Sequence, residues 1–358
     1  MKRVTYAIGA LALSTAPGLA GGVERSPQSV ALLFEPGRYM EFSINHVDPR
    51  VSGALGGAGS GSILDSYQSL SFGYKMALGE RMDLAIVLDE PIGADTTYPG
   101  GTGYLLQGTN ASINSAALTG MLRYRIDSNF SAYGGIRLQQ ARGRVELHLP
   151  TATYSMSTNT DRELGYLVGV AYERPDIAMR VALTYNSRIT HKFDSTETIV
   201  GFGSMNTNFE TSVPESLNLE FQTGVAPDTL LFGNLRWQRW TKFDISPPVY
   251  MANISAAPLV SYARNTATLN LGIGRRLNEN WSVAGTVGYE HSDGHTTGNL
   301  GPVDGHKSVG IAATYTQGNM RITSGLRYMW IGGATTNIGA RFSGNKAIAA
   351  GVRVGYSF

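Results

Sequence analysis

The amino-acid sequence predicts an all-β protein, a transmembrane antiparallel β-barrel of about fourteen strands. Three observations predict this fold. Many segments alternate apolar and polar residues with a period of two, short and long connections alternate between those segments, and no stretch beyond the N-terminus approaches twenty continuous apolar residues. A membrane protein without an apolar helix must close its backbone hydrogen bonds between strands, and in lipid only a closed barrel achieves this.

The C-terminal segment shows the alternation most clearly. Its apolar face carries Ile348, Ala350, Val352, Val354, Tyr356 and Phe358. The opposite face carries Ala349, Gly351, Arg353, Gly355 and Ser357. This pattern is typical of a strand with lipid on one side and the barrel lumen on the other. The final aromatic residue also resembles the C-terminal signal that outer-membrane proteins present to their assembly machinery.

The same alternation recurs along the chain, whereas helix-period patterns are absent over comparable windows. The predicted strands start near residues 38, 67, 82, 112, 129, 162, 177, 213, 229, 262, 280, 307, 319 and 346. Six connections are short and carry turn residues, as at Pro175-Asp176. Seven are long, around residues 50–66, 93–111, 149–161, 194–212, 245–261, 291–306 and 331–345. Short periplasmic turns and long extracellular loops are expected of an outer-membrane barrel.

The first twenty residues have the composition of a signal peptide. Lys2 and Arg3 precede an apolar run, and small residues suit cleavage after Ala20. We therefore expect residues 1–20 to be removed on export. Residues 21–358 carry 27 basic and 27 acidic residues, because residues 1–20 hold two of the 29 basic residues and no acidic residue. This balance does not indicate a nucleic-acid partner, and the absence of cysteine excludes disulfides and cysteine-based metal sites.

Several motifs resemble the FadL family of long-chain fatty acid outer-membrane transporters. In family order they are Val47-Asp48-Pro49, Asp89-Glu90-Pro91-Ile92-Gly93, Thr97-Tyr98-Pro99-Gly100-Gly101, Val213-Pro214-Glu215-Ser216-Leu217, a Pro-Asp turn, and Trp237, Trp240 and Phe243 in a Trp-x-x-Trp-x-x-Phe pattern. The resemblance implies a monomeric barrel in the bacterial outer membrane, among outer-membrane lipid and lipopolysaccharide. It implies uptake of long-chain fatty acids or other hydrophobic molecules, by capture at extracellular loops and lateral exit at a kink in the third strand.

The resemblance also implies a plug at the N-terminus. Residues 1–20 are then the signal peptide, residues 21–37 a short plug segment, and residues 38–358 the barrel. The family has a longer Gly/Ala-rich plug with an Asn-Pro-Ala motif, and the closest match here is Phe34, Glu35 and Pro36. The sequence therefore predicts a shortened plug.

The kink and lateral opening are predicted at Asp89, Glu90, Pro91 and Gly93. Pro91 cannot donate a ladder hydrogen bond, and Gly93 tolerates backbone conformations that other residues avoid. The alternative interpretation is that the third strand ends at Asp89 and that Pro91 begins the next loop.

Two groups of residues are candidate ligand contacts. One is an apolar set in the predicted loop 194–212, and exposed apolar clusters often mark binding surfaces; its members are Ile199, Val200, Phe202, Met205 and Phe209. These side chains would otherwise pack under the loop itself. The other comprises lumen arginines, foremost Arg123 and Arg137, which could bind a carboxylate head group. Otherwise they pair with lumen acids such as Glu220 and Glu290.

Other functions remain as alternatives. Catalysis is not expected, because none of the six histidines accompanies a Gly-x-Ser-x-Gly motif, and no cofactor is expected. His291, His295, Asp304 and His306 have ligand types that suit zinc or nickel, but a solvated turn has the same composition, so no metal is predicted. A general aqueous porin, or a structural or adhesin barrel, would show the same strand pattern.

Overall fold

The computed structural model describes residues 23–358, so the predicted signal peptide lies outside the described residues. These residues form a closed antiparallel barrel of fourteen strand positions, which confirms the predicted fold class. Its wall contains eighteen strands, because four positions are each shared by two consecutive strands with a break between them. Within residues 23–358, no helix has the length and apolar character needed to cross a membrane.

The strands follow one another along the chain, with 3₁₀ turns at Ala31–Phe34, Pro175–Ile177 and Trp240–Lys242 and one short helix, α1, at Pro248–Asn253. They are β1 Tyr39–Arg50, β2 Gly53–Leu55, β3 Ala58–Gly59, β4 Tyr67–Ala77, β5 Met82–Asp89, β6 Gly93–Thr97, β7 Asn110–Arg125, β8 Phe130–His148, β9 Thr153–Thr158, β10 Asp161–Arg174, β11 Met179–Asn186, β12 Ile189–Ile199, β13 Gly203–Val213, β14 Ser216–Ala226, β15 Thr229–Gln238, β16 Asp244–Ile245, β17 Val260–Ser261, β18 Thr266–Arg276, β19 Trp281–Glu290, β20 Thr296–Thr297, β21 His306–Gln317, β22 Met320–Ile331, β23 Ala334–Thr336, β24 Arg341–Phe342 and β25 Lys346–Ser357.

The ring closes between the first and last wall strands. β1 pairs with β25 from Tyr39 opposite Ser357 to Arg50 opposite Lys346, and it pairs with β4 on its other side. A closed ring removes the exposed edges that an open sheet would present. The positions with two strands are β5–β6, β9–β10, β11–β12 and β13–β14.

The outer face of the wall is apolar along its middle. Ile348 and Val352 of β25 are 51% and 40% exposed, whereas the intervening Ala349 is buried. Outward Phe42, Leu70 and Leu118 continue this belt across other strands. An exposed apolar belt would be unfavourable in water and is favourable against lipid tails, so the barrel is of the outer-membrane type.

The prediction of a loop at residues 194–212 is wrong. β12 and β13 form a regular hairpin there, with Ile189 opposite Val213 and Ile199 opposite Gly203. Their outward residues are polar, such as Thr196 and Asn206, because the hairpin extends above the apolar belt. A search for apolar-out alternation therefore misses it. The predicted loop at 149–161 likewise contains β9.

A buried charged cluster holds the wall together near its short-turn end. Asp83 is fully buried and lies 2.8 Å from the Lys75 ammonium and 2.5 Å from the Arg125 guanidinium. Arg123 lies 3.9 Å from the same carboxylate and also pairs with Glu173. Removing one partner of such a cluster leaves the others buried without compensation.

We predict that Asp83→Ala lowers the free energy of unfolding by about 3–5 kcal/mol, because it leaves the Lys75 ammonium buried without its carboxylate. Urea unfolding in detergent micelles, followed by tryptophan fluorescence, measures this change. The matched control is Asp176→Ala, which removes the exposed partner of Arg174 and should leave the urea midpoint unchanged. An equal effect of the two substitutions would contradict the role of the cluster.

Candidate functional site at the break in the third barrel strand

The third wall position is interrupted between β5 and β6. Asp89 lies opposite Ala117 and Gly93 opposite Asn114, so three residues of this strand face two residues of β7. This geometry is a bulge. Pro91 has no N–H to donate, which explains why the ladder breaks here. The strand continues beyond Pro91, contrary to the alternative in which Pro91 begins a loop.

A gap in the wall accompanies the break. β4 pairs with β1 along its upper part, from Tyr67 onwards, but its pairing with the third position begins only at Phe72 opposite Leu88. Among the described strands, β6 pairs with β7, and its other edge bonds from Asp95 to Thr97 to the loop at residues 63–65, where Leu64 bridges Thr96. Within the gap the outward Leu70 of β4 is apolar, whereas Gln68, nearer the long loops, is polar. The gap therefore lies at the upper border of the apolar belt.

The N-terminal segment supplies the backbone partners that the break removes. The Arg25 N–H donates to the Pro91 carbonyl at 2.8 Å, and the Gly93 N–H donates to the Val23 carbonyl at 2.8 Å. Between these two bonds, Glu24 forms an antiparallel bridge with Ile92. Unpaired backbone groups are costly beside lipid, so this short added strand stabilises the bulge.

The side chain of Arg25 spans the gap. Its guanidinium lies 2.6 Å from the Asp95 carboxylate on β6, and it stacks 4.2 Å from the centroid of the Tyr67 ring on β4. A Cβ atom at Gly93 would overlap this guanidinium, so only glycine leaves room for it. Arg25 is 8% exposed. We refer to Arg25, Tyr67 and Asp95 as the Arg25 latch.

The rest of the N-terminal segment crosses the lumen and bonds to several strands. Glu24 lies 2.5 Å from Arg236 of β15. The Ser26 hydroxyl donates to Asp89 at 2.5 Å, and Ser29 and the Val30 N–H both donate to Glu220 of β14. These contacts fix the segment against opposite sides of the barrel.

Two cavities lie on either side of this segment. The upper cavity, of about 130 Å³, lies between the extracellular loops and the break. Its apolar lining includes Val23, Leu64, Ala94, Ile113, Leu259 and Leu300. Burial raises the pKa of the Tyr262 phenol in its loop wall, so that group stays neutral at physiological pH.

The lower cavity, of about 160 Å³, lies between the segment and the short-turn end of the barrel. Its lining includes Leu32, Met121, Leu167, Phe232, Leu271 and Arg327. Arg327 is 7% exposed, and no carboxylate among residues 23–358 lies within ion-pair distance of it. The lower cavity therefore combines apolar side chains with charged ones, among which Arg327 has no carboxylate partner within residues 23–358.

The residues predicted for the plug have different surroundings. Phe34 lies between two cations, with the guanidinium carbons of Arg123 and Arg180 at 4.3 Å and 4.6 Å from its ring centroid. Glu35 pairs with Arg321 at 2.9 Å. Pro36 is exposed where the segment approaches β1.

The two arginines predicted to meet a ligand carboxylate are engaged within the protein. Arg123 bonds to Glu173 and donates to Ser131 at 3.0 Å. Arg137 donates to Thr119 at 3.1 Å and to the Gln28 side chain at 2.9 Å. Because Gln28 belongs to the N-terminal segment, Arg137 becomes available only if that segment moves.

The apolar set predicted around residues 199–209 divides into two groups. Val200, Phe202 and Met205 lie at the tip of the β12–β13 hairpin and are 66%, 90% and 60% exposed. Ile199 is buried, and Phe209 packs against Phe193 with their ring centroids 5.6 Å apart. The prediction of an exposed set is therefore wrong for Ile199.

The loop that contains His291 and His295 brings acidic side chains together, and an arginine already pairs with them. Asp293, His295 and Asp304 lie close enough to share an ion, with ligand atoms within 4.8 Å of one another, whereas His291 and His306 are not part of this group. Arg264 lies 2.7 Å from Asp293 and 2.5 Å from Asp304. The cluster is thus bridged by a cation from the protein itself.

Sequence reasoning identified the break but missed the latch. Pro91 and Gly93 have conformational signatures that can be read directly, whereas Arg25, Tyr67 and Asp95 lie far apart in the chain and follow no motif. The sequence signal for the latch was the presence of an arginine, Arg25, in the short segment before β1.

Comparison with solved structures shows a shared fold. A FadL homologue from Pseudomonas aeruginosa aligns with a TM-score of 0.77 and 15% identity, covering 96% of this chain and 97% of that chain. The toluene transporter TbuX of Ralstonia pickettii aligns with a TM-score of 0.66 and 13% identity, covering 96% and 97%. The toluene transporter TodX of Pseudomonas putida aligns with a TM-score of 0.66 and 13% identity, covering 96% of each chain. No protein-family model and no curated protein matches the sequence. At these identities the likeness establishes the FadL-type fold.

We predict that Arg25→Gln opens the gap, because it removes both the ion pair with Asp95 and the stacking on Tyr67. The chain has no cysteine, so a single Ala94→Cys thiol reports access to the upper cavity. Its reaction with a membrane-impermeant maleimide should accelerate by roughly tenfold, since the lost contacts amount to about 1–2 kcal/mol. Arg50→Gln in the same background is the control. An unchanged labelling rate in the Arg25→Gln variant would contradict the role of the Arg25 latch in closing the gap.

Proposed function

We propose that this chain is a FadL-family transporter of the bacterial outer membrane that takes up hydrophobic small molecules. The observation that carries the proposal is the upper cavity, which lies beside a wall gap that the N-terminal segment closes at Pro91 and Gly93. The proteins with the same fold are described as a FadL homologue and as toluene transporters. A cavity, a removable seal and an outlet at the lipid border are what lateral transfer of an apolar molecule requires.

Capture begins in this proposal at the hairpin tip. Val200, Phe202 and Met205 present an exposed apolar surface far from the lipid belt. Exposed apolar surface in water favours contact with a hydrophobic molecule. Ile199 and Phe209 below the tip keep the hairpin rigid by packing in the loop region.

Transfer follows through the upper cavity to the gap between β4 and β6. The break at Asp89, Glu90, Pro91 and Gly93 forms one rim of this outlet. Exit requires Arg25 to leave Asp95 and Tyr67, because the guanidinium fills the space between the two strands. A molecule leaving here enters the membrane without crossing the polar lower lumen.

Residues 21–37 act in this proposal as the plug, and the described part of that segment already separates the two cavities. Phe34 and Glu35 anchor its end through Arg123, Arg180 and Arg321. Their anchoring favours movement of the first residues of the segment, around Arg25, over expulsion of the whole plug. Arg137 then meets a ligand carboxylate only after Gln28 is displaced.

The cavity size bears on the choice of substrate. A cavity of 130 Å³ is close to the engineered apolar cavity of about 150 Å³ that binds benzene. A single aromatic ring therefore fits the closed state, whereas a long-chain fatty acid needs the gap open to accommodate its tail. Both classes belong in the uptake experiment.

The rival function is a general aqueous porin. It requires a continuous polar path through the lumen, whereas here the N-terminal segment is bonded across it. Planar-bilayer recording distinguishes the two, because a porin conducts ions steadily and the proposed monomeric transporter gives no steady ion current.

Uptake tests the proposal directly. The chain is expressed in a strain that lacks its own fatty acid outer-membrane transporter, and entry of labelled oleate and labelled toluene is measured. Uptake above the empty vector for either compound supports the proposal. Absence of uptake of both, with heat-modifiable protein present in the outer membrane, would refute it.

We predict that a disulfide between Glu24→Cys and Ile92→Cys abolishes uptake when oxidised and that reduction restores it. These residues are bridge partners, so their Cα atoms lie within disulfide range. The control is Ser43→Cys with Ser71→Cys, a cross-strand pair in the continuous wall whose hydroxyls lie 2.6 Å apart. That disulfide should leave uptake unchanged. Equal uptake by the oxidised and reduced Glu24–Ile92 variant would exclude movement of the segment.

A further inference from the structure

Three arginines on the outer surface have no role in the transport path. Arg142 and Arg144 on β8 and Arg162 on β10 are exposed on the outward face of the wall. Within residues 23–358, none of the three forms an ion pair. Their one side-chain hydrogen bond to a described residue is a long contact of 3.5 Å from Arg162 to Gln140. Together they form what we term the arginine patch.

The register of the strands places these side chains together. Arg162 of β10 lies opposite Gln140 of β8, which places Arg162 diagonally next to Arg142. Arg142 and Arg144 are two residues apart on one strand and therefore point the same way. Acidic residues near the patch include Glu146, which contacts His148 at 3.1 Å, and, across the depression described below, Glu90 and Asp95, of which Asp95 pairs with Arg25. The patch therefore retains a net positive charge.

An apolar surface lies directly below the patch. Ile136 and Leu138 precede Arg142 on β8 and are 64% and 44% exposed, and Leu164 follows Arg162 on β10 and is 64% exposed. Leu138 and Arg142 are separated by roughly 13 Å along the strand, from the rise of about 3.3 Å per residue. The change from apolar to cationic surface thus coincides with the border between lipid tails and head groups.

The patch faces the outer leaflet. It lies at the end of the barrel that carries the long connections, opposite the short turns at Asp127 and Pro175. A polar depression of about 660 Å³ extends from Arg142 and Arg162 to the Arg25 latch. A head group held by the patch would therefore stand at the mouth of the gap.

We propose that the arginine patch binds the phosphate groups of a multiply acylated, phosphorylated glycolipid of the outer leaflet, the lipid A part of lipopolysaccharide. Its acyl chains lie along Ile136, Leu138 and Leu164. Guanidinium groups form paired, charge-assisted hydrogen bonds with phosphate, and the apolar surface beneath them has the polarity that acyl chains require. This site does not depend on the proposed transport function.

Binding of purified lipid A to the full-length protein in detergent tests the proposal. The probes are bisphosphorylated lipid A, the same lipid without phosphate, and inorganic phosphate, with native mass spectrometry as the readout. The wild-type protein should retain bisphosphorylated lipid A and bind the other two probes far more weakly. The triple variant Arg142→Gln, Arg144→Gln, Arg162→Gln should lose roughly one hundredfold in affinity, from the typical contribution of a basic residue at an anionic lipid surface.

A charge-matched control separates the patch from general electrostatics. Arg50→Gln, Arg174→Gln, Arg275→Gln removes three exposed arginines elsewhere and should change lipid A binding by less than about threefold. If the triple variant does not fold, Arg162→Gln alone takes its place. Its affinity for lipid A should fall roughly fivefold. Equal losses in the two triple variants, wild-type affinity in the patch variants, or equal retention of the lipid without phosphate would each overturn the proposal.

Discussion

The structure depends on one constraint, that every backbone polar group facing lipid needs a partner. The wall meets this constraint through its ladders along most of its length, but beside Pro91 the third strand lacks a ladder partner on the β4 side. The N-terminal segment supplies the missing partners through Val23 and Arg25. A short piece of chain that lies inside the barrel is therefore part of the wall at this one place.

The same segment divides the interior into two spaces. Above it, apolar side chains from loops and strands surround the upper cavity, next to the gap. Below it, ion pairs such as those of Asp83 and Glu35 fill the lumen. In the proposed transport route, a hydrophobic molecule passes from the upper space to the gap and does not cross the lower one.

Much of the barrel could be predicted from sequence because lipid imposes a strict pattern. The alternation in β25 and the proline in the third strand are local signals, and both correspond to observed elements. The β12–β13 hairpin escaped detection because its outward Thr and Asn side chains face water instead of lipid. The Arg25 latch could not be predicted, since Arg25, Tyr67 and Asp95 meet only when three separate segments of the chain come together.

The pairing of β1 with β25 sets the order in which this protein can be built. The two strands stand at opposite ends of the barrel sequence, so the ring stays open until the last strand has been synthesised and docked. The segment that precedes β1 contacts β5, β14, β15 and β22. These contacts form only when strands from both halves of the wall stand around the segment. Closing the ring and placing the leading residues are thus two parts of one assembly problem, and folds dominated by such distant contacts form slowly.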